Sequence, residues 1–194
     1  MEKNITLEKL KTELIENNYN YLEIQEYLKY AEALLNHDLP VIFNKHHLLN
    51  LIGWNVVYFN NFVHNTDQFY NEFKIPKKNG SFRIIEAPKK NLCSAQKWIL
   101  DNILYKFPVS KCCHGFCKEK SILTNALEHV NQECIINLDL KDFFPSINEN
   151  RIFHIFYYYG YTQKVSYFLT KLCTLNKSLP QGAPTSPYLS NLVC

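Results

Sequence analysis

The chain predicts an α+β fold through three observations. To about Phe59, apolar residues recur mostly at spacings of three and four: Leu7, Leu10, Leu14 and Ile15, then Tyr21, Leu22, Ile24, Tyr27, Leu28, Ala31 and Leu34. That is the period of amphipathic helices. Between Phe69 and Pro88, the residues Phe73, Ile75, Phe82, Ile84 and Ile85 flank Asn79-Gly80, a hairpin signal because such a pair tolerates the positive φ of a tight turn. Cys134-Ile135-Ile136-Asn137-Leu138 is apolar almost without interruption, as expected of a strand buried on both faces.

The elements follow in order. Residues 1–65 read as an N-terminal helical extension without a catalytic constellation, and residues 66–194 as a second unit. His46 and His47 are adjacent; neighbours on a helix diverge by about 100°, so they read as surface or packing histidines rather than metal ligands. Next comes the hairpin, with a basic tip at Lys77-Lys78-Asn79-Gly80-Ser81. A long helix runs from Leu92 through Gln96, Ile99 and Ile103 to Tyr105, closed by Pro108. A short segment around Gly115, a helix from Ser121 to about Val130 and the strand 134–138 complete the middle. Gly160 ends an aromatic helix, and the last residues, with Tyr188, Leu189, Leu192 and Val193, read as an apolar helix.

Composition narrows the class. A length of 194 residues suffices for a sizeable core, and 46% apolar with 20% charged residues is ordinary for a globular chain. No window approaches the ~18 uninterrupted apolar residues of a membrane span, so disorder, coiled coil and integral membrane protein are excluded. The start, MEKNITLEKLKTELIE, lacks the apolar core and cleavage site of a secretory signal, which points to the cytoplasm. Seven cysteines at irregular spacing then read as reduced thiols. Cys112-Cys113-His114-Gly115-Phe116-Cys117 invites a zinc reading, but it lacks paired C-x₂-C spacing and a second distant pair.

Net charge is +3 but unevenly spread. Residues 1–65 hold eight acids and five lysines, whereas the 24 residues from Lys74 to Lys97 hold seven bases against the single acid Glu86. Alone, that strip is either a solvated basic face or the seat of a phosphate-bearing partner. Asp139 directly follows the apolar run; a carboxylate at the end of a buried strand is costly unless it is hydrogen-bonded to a nearby turn or binds a metal. Asp142, ahead of Pro145, fits the turn role better.

Three motifs in order carry a resemblance. Phe73-Lys74-Ile75-Pro76-Lys77-Lys78-Asn79-Gly80-Ser81-Phe82-Arg83, LDLKDFFPSI at 138–147 and LPQGAPTSPYLSNL at 179–192 resemble the reverse transcriptases, specifically the bacterial retron-type branch. Asn125-Ala126-Leu127-Glu128-His129 matches the NAxxH signature of that branch. The resemblance covers about residues 69–194 and implies the fingers and first part of the palm of a right-hand polymerase, acting by RNA-templated DNA synthesis. It implies Asp139 as a catalytic carboxylate and, with the Leu140 backbone carbonyl, a Mg²⁺ ligand; two Mg²⁺ ions serve the complete enzyme. Lys77, Arg83, Asp142, Phe143, Phe144 and Gln181 are implied at the nucleotide, and Lys78, Gly182, Asn125 and His129 at the nucleic acid. Arg83 can fork two phosphate oxygens where Lys77 supplies a point charge. Phe144 is either the ring that excludes a 2′-hydroxyl or ordinary core packing.

The family pattern also contains a Tyr-x-Asp-Asp hairpin and a thumb, which this sequence does not contain. The chain therefore reads as a fragment, inactive alone. The implied partners are an RNA template and primer, an RNA/DNA hybrid, deoxynucleoside triphosphates and a retron effector protein, in anti-phage defence. A non-enzymatic RNA-binding remnant, and a group II intron-like or other defence-associated reverse transcriptase, are the alternatives.

Overall fold

The computed structural model describes residues 6–77 and 80–194. Helices begin where short polar side chains cap them. Thr6 opens α1 (Leu7–Glu16), Asn20 opens α2 (Tyr21–Leu35), Asn44 opens α3 (Lys45–Ile52) and Asn55 opens α4 (Val56–His64). Each side chain accepts a backbone N–H that the first turn leaves unpaired. Gly53 ends α3 in the left-handed region, φ 70°, where glycine incurs no steric cost.

The hairpin pairs β1 (Tyr70–Pro76) with β2 (Phe82–Pro88) antiparallel, Tyr70 opposite Pro88 and Pro76 opposite Phe82. Lys78 and Asn79 of the predicted turn lie outside the described residues. Beyond the hairpin come α5 (Lys90–Asn102), a 3-10 turn (Leu104–Lys106), α6 (Ile122–Leu127), α7 (Phe143–Ser146), α8 (Glu149–Tyr158), α9 (Gln163–Cys173) and α10 (Ser186–Val193). Among the described residues no helix is long and apolar enough to cross a membrane.

The buried core is continuous across residue 65. Leu34, Ile42, Leu48 and Phe59 belong to the same cluster as Leu92, Phe156, Leu169 and Leu189. Phe59 meets Phe168 edge-on with ring centroids 5.5 Å apart, and the Tyr161 hydroxyl donates to the Pro40 carbonyl at 3.1 Å. His47 stacks on Phe43 at 5.9 Å, and burial pulls its pKa below the usual histidine value.

One buried amide ties the hairpin to this core. Gln96, on α5, is fully buried. Its Nε2 donates to the Tyr70 hydroxyl at 3.0 Å and to the Leu172 carbonyl at 2.8 Å. Tyr70 starts β1, and the Leu172 carbonyl belongs to the last turn of α9, whose carbonyls have no acceptor role left inside the helix. Burial raises the Tyr70 hydroxyl pKa, opposed by this hydrogen bond from Gln96.

Two predicted elements differ. Residues 134–138 are not a strand, and they are exposed: Ile136 is 78% and Leu138 89% accessible. A strand exists by pairing its N–H and C=O groups with a neighbour, and among the described residues β1 and β2 pair only with each other. An apolar run is thus not a sufficient condition for a strand. The reasoning that put Asp139 at the end of a buried strand falls with it, since Asp139 is exposed. The helix expected from Ser121 to about Val130 is limited to α6, capped by a Ser121–Thr124 box. Its apolar residues Ile122 and Leu123 are exposed, so it gains little packing to extend it.

Replacing Gln96 by leucine leaves the Tyr70 hydroxyl and the Leu172 carbonyl buried without their donor. The expected loss is about 1–3 kcal/mol per orphaned group, read as a lower urea midpoint with an unchanged slope; an unchanged midpoint would refute the anchoring role.

Candidate functional site

Three pieces of chain meet around a cleft of about 450 Å³: the hairpin through Lys77, Arg83 and Ile85, the 139–144 turn, and the loop at Gln181 and Gly182. The register explains the hairpin's share. Cross-strand partners lie on one face, and alternate residues share it. Ile75 is opposite Arg83 and Phe73 opposite Ile85, so Arg83 and Ile85 share a face with Ile75, and Lys77 follows two residues on. At the tip, the Lys77 N–H donates to the Ser81 carbonyl at 2.7 Å, and the Gly80 N–H to the Lys77 carbonyl at 3.0 Å.

The second piece is a tight turn. Asp142 precedes α7 in the left-handed region, φ 51°, a conformation that aspartate tolerates better than most residues. Its carbonyl accepts the Ser146 N–H at 3.0 Å, whereas its carboxylate makes no capping hydrogen bond. The turn is therefore held by the main chain, and the Asp142 side chain is left to line the cleft beside Asp139. Phe143 and Phe144 stack on one another with centroids 5.9 Å apart, and both are half-buried.

The third piece seals the edge of β2. The Glu86 N–H donates to the Gln181 carbonyl at 2.6 Å. Gly182 follows at φ +126°, and a Cβ there would come within 2.9 Å of Ile85 Cγ2 and 3.0 Å of the Glu86 carbonyl oxygen. Only glycine allows this approach. Glu86 itself is half-buried; burial foremost, then Glu72 and Asp67, raise its pKa, while a hydrogen bond from the Gln181 backbone pulls the other way.

Lys77, Arg83, Asp139, Leu140, Asp142, Phe143, Phe144, Gln181 and Gly182 thus share one cleft. Asn125, on α6, and His129, just beyond it, are exposed and do not line it; Lys78 lies outside the described residues. Ile85 and Lys141 also line the cleft and were not singled out from sequence. Alternation along β2 from Arg83 was the available signal for Ile85; for Lys141 it was only its place between Leu140 and Asp142.

Chemically, the cleft gathers the cations Lys77, Arg83 and Lys141, the carboxylates Asp139 and Asp142, and the Phe143–Phe144 pair. Such an array suits a ligand that carries both a polyanion and a flat apolar part. Two carboxylates and the Leu140 carbonyl are hard oxygen donors of the kind Mg²⁺ takes alongside phosphate and water. Among the described residues, no group of three or more His, Cys, Asp or Glu side chains forms a metal site. The Cys112–Cys117 segment is instead held by polar contacts: His114 Nδ1 lies 2.9 Å from Thr124 Oγ1, and Asn191 Nδ2 donates to the Gly115 carbonyl at 2.7 Å.

Residues 75–194 match the family model described as reverse transcriptase (RNA-dependent DNA polymerase). The chain is similar to the retron Ec86 reverse transcriptase of Escherichia coli, 39% identical over 87% of this chain and 53% of that protein. It is also similar to the retron Mx162 and Mx65 reverse transcriptases of Myxococcus xanthus, each 37% identical, over 66% and 64% of this chain and 30% and 33% of those proteins. The chain spans about half the length of the first relative and about a third of the other two. With the family model covering the hairpin tip, the 139–144 turn and the 181–182 loop together, the chain belongs to the reverse transcriptase family.

Proposed function

We propose that this chain supplies the nucleotide-facing part of a retron-type RNA-directed DNA polymerase. The observation that carries the reading is the convergence of Lys77, Arg83, Asp139, Asp142, Phe144 and Gln181 on one cleft from three separate pieces of sequence. Similarity to retron reverse transcriptases supports the same branch.

In this reading the substrate is a deoxynucleoside triphosphate paired to an RNA template. Arg83 forks two phosphate oxygens and Lys77 neutralises a third. Phe144 lies under the sugar, where its ring would clash with a 2′-hydroxyl. Gln181 faces the nucleotide and template, and Gly182 keeps that loop close against β2. Mg²⁺ held by Asp139 and the Leu140 carbonyl would neutralise triphosphate charge and lower the pKa of the primer hydroxyl. The reading further assigns residues 66–194 to fingers and partial palm, residues 1–65 to a helical extension, and Asn125, His129 and Lys78 to the nucleic acid. A structured noncoding RNA as template and primer source, an effector protein, a cytoplasmic site and a role against phage complete it. A non-enzymatic RNA-binding role is the outcome if the first test below fails.

That test is primer extension by the protein expressed from its complete reading frame, with poly(rA)/oligo(dT), dTTP and Mg²⁺. Templated product is expected, reduced roughly a hundredfold or more by Asp139→Asn; extension that survives the substitution would overturn the assignment of Asp139.

Alanine at both Lys77 and Arg83 removes two charge-assisted contacts, each worth about 1.5–3 kcal/mol. The KM for dTTP should rise roughly a hundredfold or more, and an unchanged KM would remove the hairpin from the triphosphate.

Phe144→Ala should admit ribonucleotides in a folded variant, measured as rUTP incorporation against dTTP. Discrimination at the wild-type level would return Phe144 to a packing role.

A further inference from the structure

Another cavity, of about 920 Å³, is larger than the cleft and shares no residue with it. Much of its lining is α8. Arg151, His154, Ile155 and Tyr158 take part because positions i, i+3, i+4 and i+7 fall on one side of a helix, whereas Ile152 and Phe156 turn into the core and are fully buried. Leu192 and Val193, at the end of α10, also line the groove.

Its aromatic rings are braced, yet open to water. Tyr159 stacks on the buried Phe107 with centroids 3.7 Å apart and planes within 5°. Tyr158 stands edge-on to Tyr159 at 5.3 Å, and Tyr157, which also lines the groove, stacks on Phe153 at 5.9 Å. Even so, Tyr158 is 83% exposed, and Tyr157 is exposed as well. Large rings left in water forgo the burial that usually stabilises them, and a braced aromatic surface of this kind marks a binding face.

Charge selects the occupant. Among the described residues, the lining holds Arg151 and His154 and no acid, and no salt bridge engages Arg151. The acid that opens α8, Glu149, is already paired with Lys171 at 2.8 Å. An apolar protein surface laid on the groove would leave the Arg151 guanidinium desolvated without a partner, which is costly. A strand of alternating bases and phosphates suits it better, since any base can stack on a tyrosine ring and a guanidinium takes phosphate oxygens.

We infer that the groove between α8 and α10 binds single-stranded RNA, with bases stacked on Tyr157 and Tyr158 and the phosphate backbone held by Arg151. This site lies beyond the nucleotide cleft; it rests on the polymerase reading only for the choice of RNA, which that reading brings to the protein as template.

The experiment uses the protein from its complete reading frame, without Mg²⁺ or nucleotide, and follows binding of fluorescein-labelled oligo(rU) by anisotropy over a range of salt. Tyr158→Ala should weaken binding roughly tenfold with an unchanged salt dependence, and Tyr158→Phe, which keeps the ring, should bind like wild type. Arg151→Gln should lower the slope of log Kd against log salt by about one. Both side chains are exposed, so these variants should keep the fold. Irradiated iodouridine-substituted oligo(rU) should crosslink to Tyr157 or Tyr158. In primer extension with dTTP, Tyr158→Ala should leave the dTTP KM within about twofold of wild type, because the cleft is untouched. Unchanged oligo(rU) affinity in both Tyr158→Ala and Arg151→Gln, or crosslinks confined to other residues, overturns the inference while wild-type extension upholds the polymerase reading. A lowered thermal midpoint of Tyr158→Ala with unchanged affinity also overturns it and gives the groove to protein packing. Absence of wild-type extension overturns the polymerase reading alone, because oligo(rU) binding at the groove is measured without it.

Discussion

A two-stranded hairpin has too little apolar face to hold a fixed direction in water, so everything built on this one depends on how its root is anchored. Gln96 supplies the anchor. Its amide joins the first residue of β1 to the final turn of α9 inside a core that excludes water, where an unmade hydrogen bond is costly. The Lys89 N–H adds a second tie, donating to the Phe69 carbonyl at 2.8 Å just before β1. With its root held, the hairpin can extend exposed residues such as Phe73, Ile75 and Phe82 and still present Lys77 and Arg83 to one cleft.

The same logic separates rigid from adaptable parts of the site. Arg83 and Gln181 are carried by pieces that bond to each other and, through Tyr70, to the core. The 139–144 turn is reached through residues 134–138, which are exposed and unpaired by any strand among the described residues. Its order comes from local main-chain bonds between Asp142, Phe144, Ser146 and Ile147, and from Ile147, which is buried and accepts the Leu179 N–H at 3.2 Å. That last bond links the end of the Asp139 turn to the start of the segment bearing Gln181.

Charge is distributed to match. The cleft brings three cations and two carboxylates together without a direct ion pair among the described residues, whose salt bridges are Lys106 with Asp38 and Lys171 with Glu149, both elsewhere. Charges left unneutralised by one another in a concave site attract counter-charges from a ligand. The basic strip on the hairpin thus faces the cleft at Lys77 and Arg83, while Lys74, one residue out of phase, belongs to the opposite face with Ile84.

By itself the sequence determined the strands of the hairpin, the helices of residues 1–65 and the motif residues, because each is a local matter: apolar alternation on either side of a basic tip, and a period of three to four. Tertiary structure alone decided the rest. Whether Cys134–Leu138 pairs as a strand depends on neighbours, which no local pattern encodes, and the apolar run is exposed for want of them. That helices within residues 1–65 share a core with α9, that Gln96 is a buried anchor, and that Glu86 meets Gln181 across 95 positions are long-range contacts. Such contacts are set by how elements pack, and packing is a property of surfaces brought together in space, which spacing along the chain does not specify.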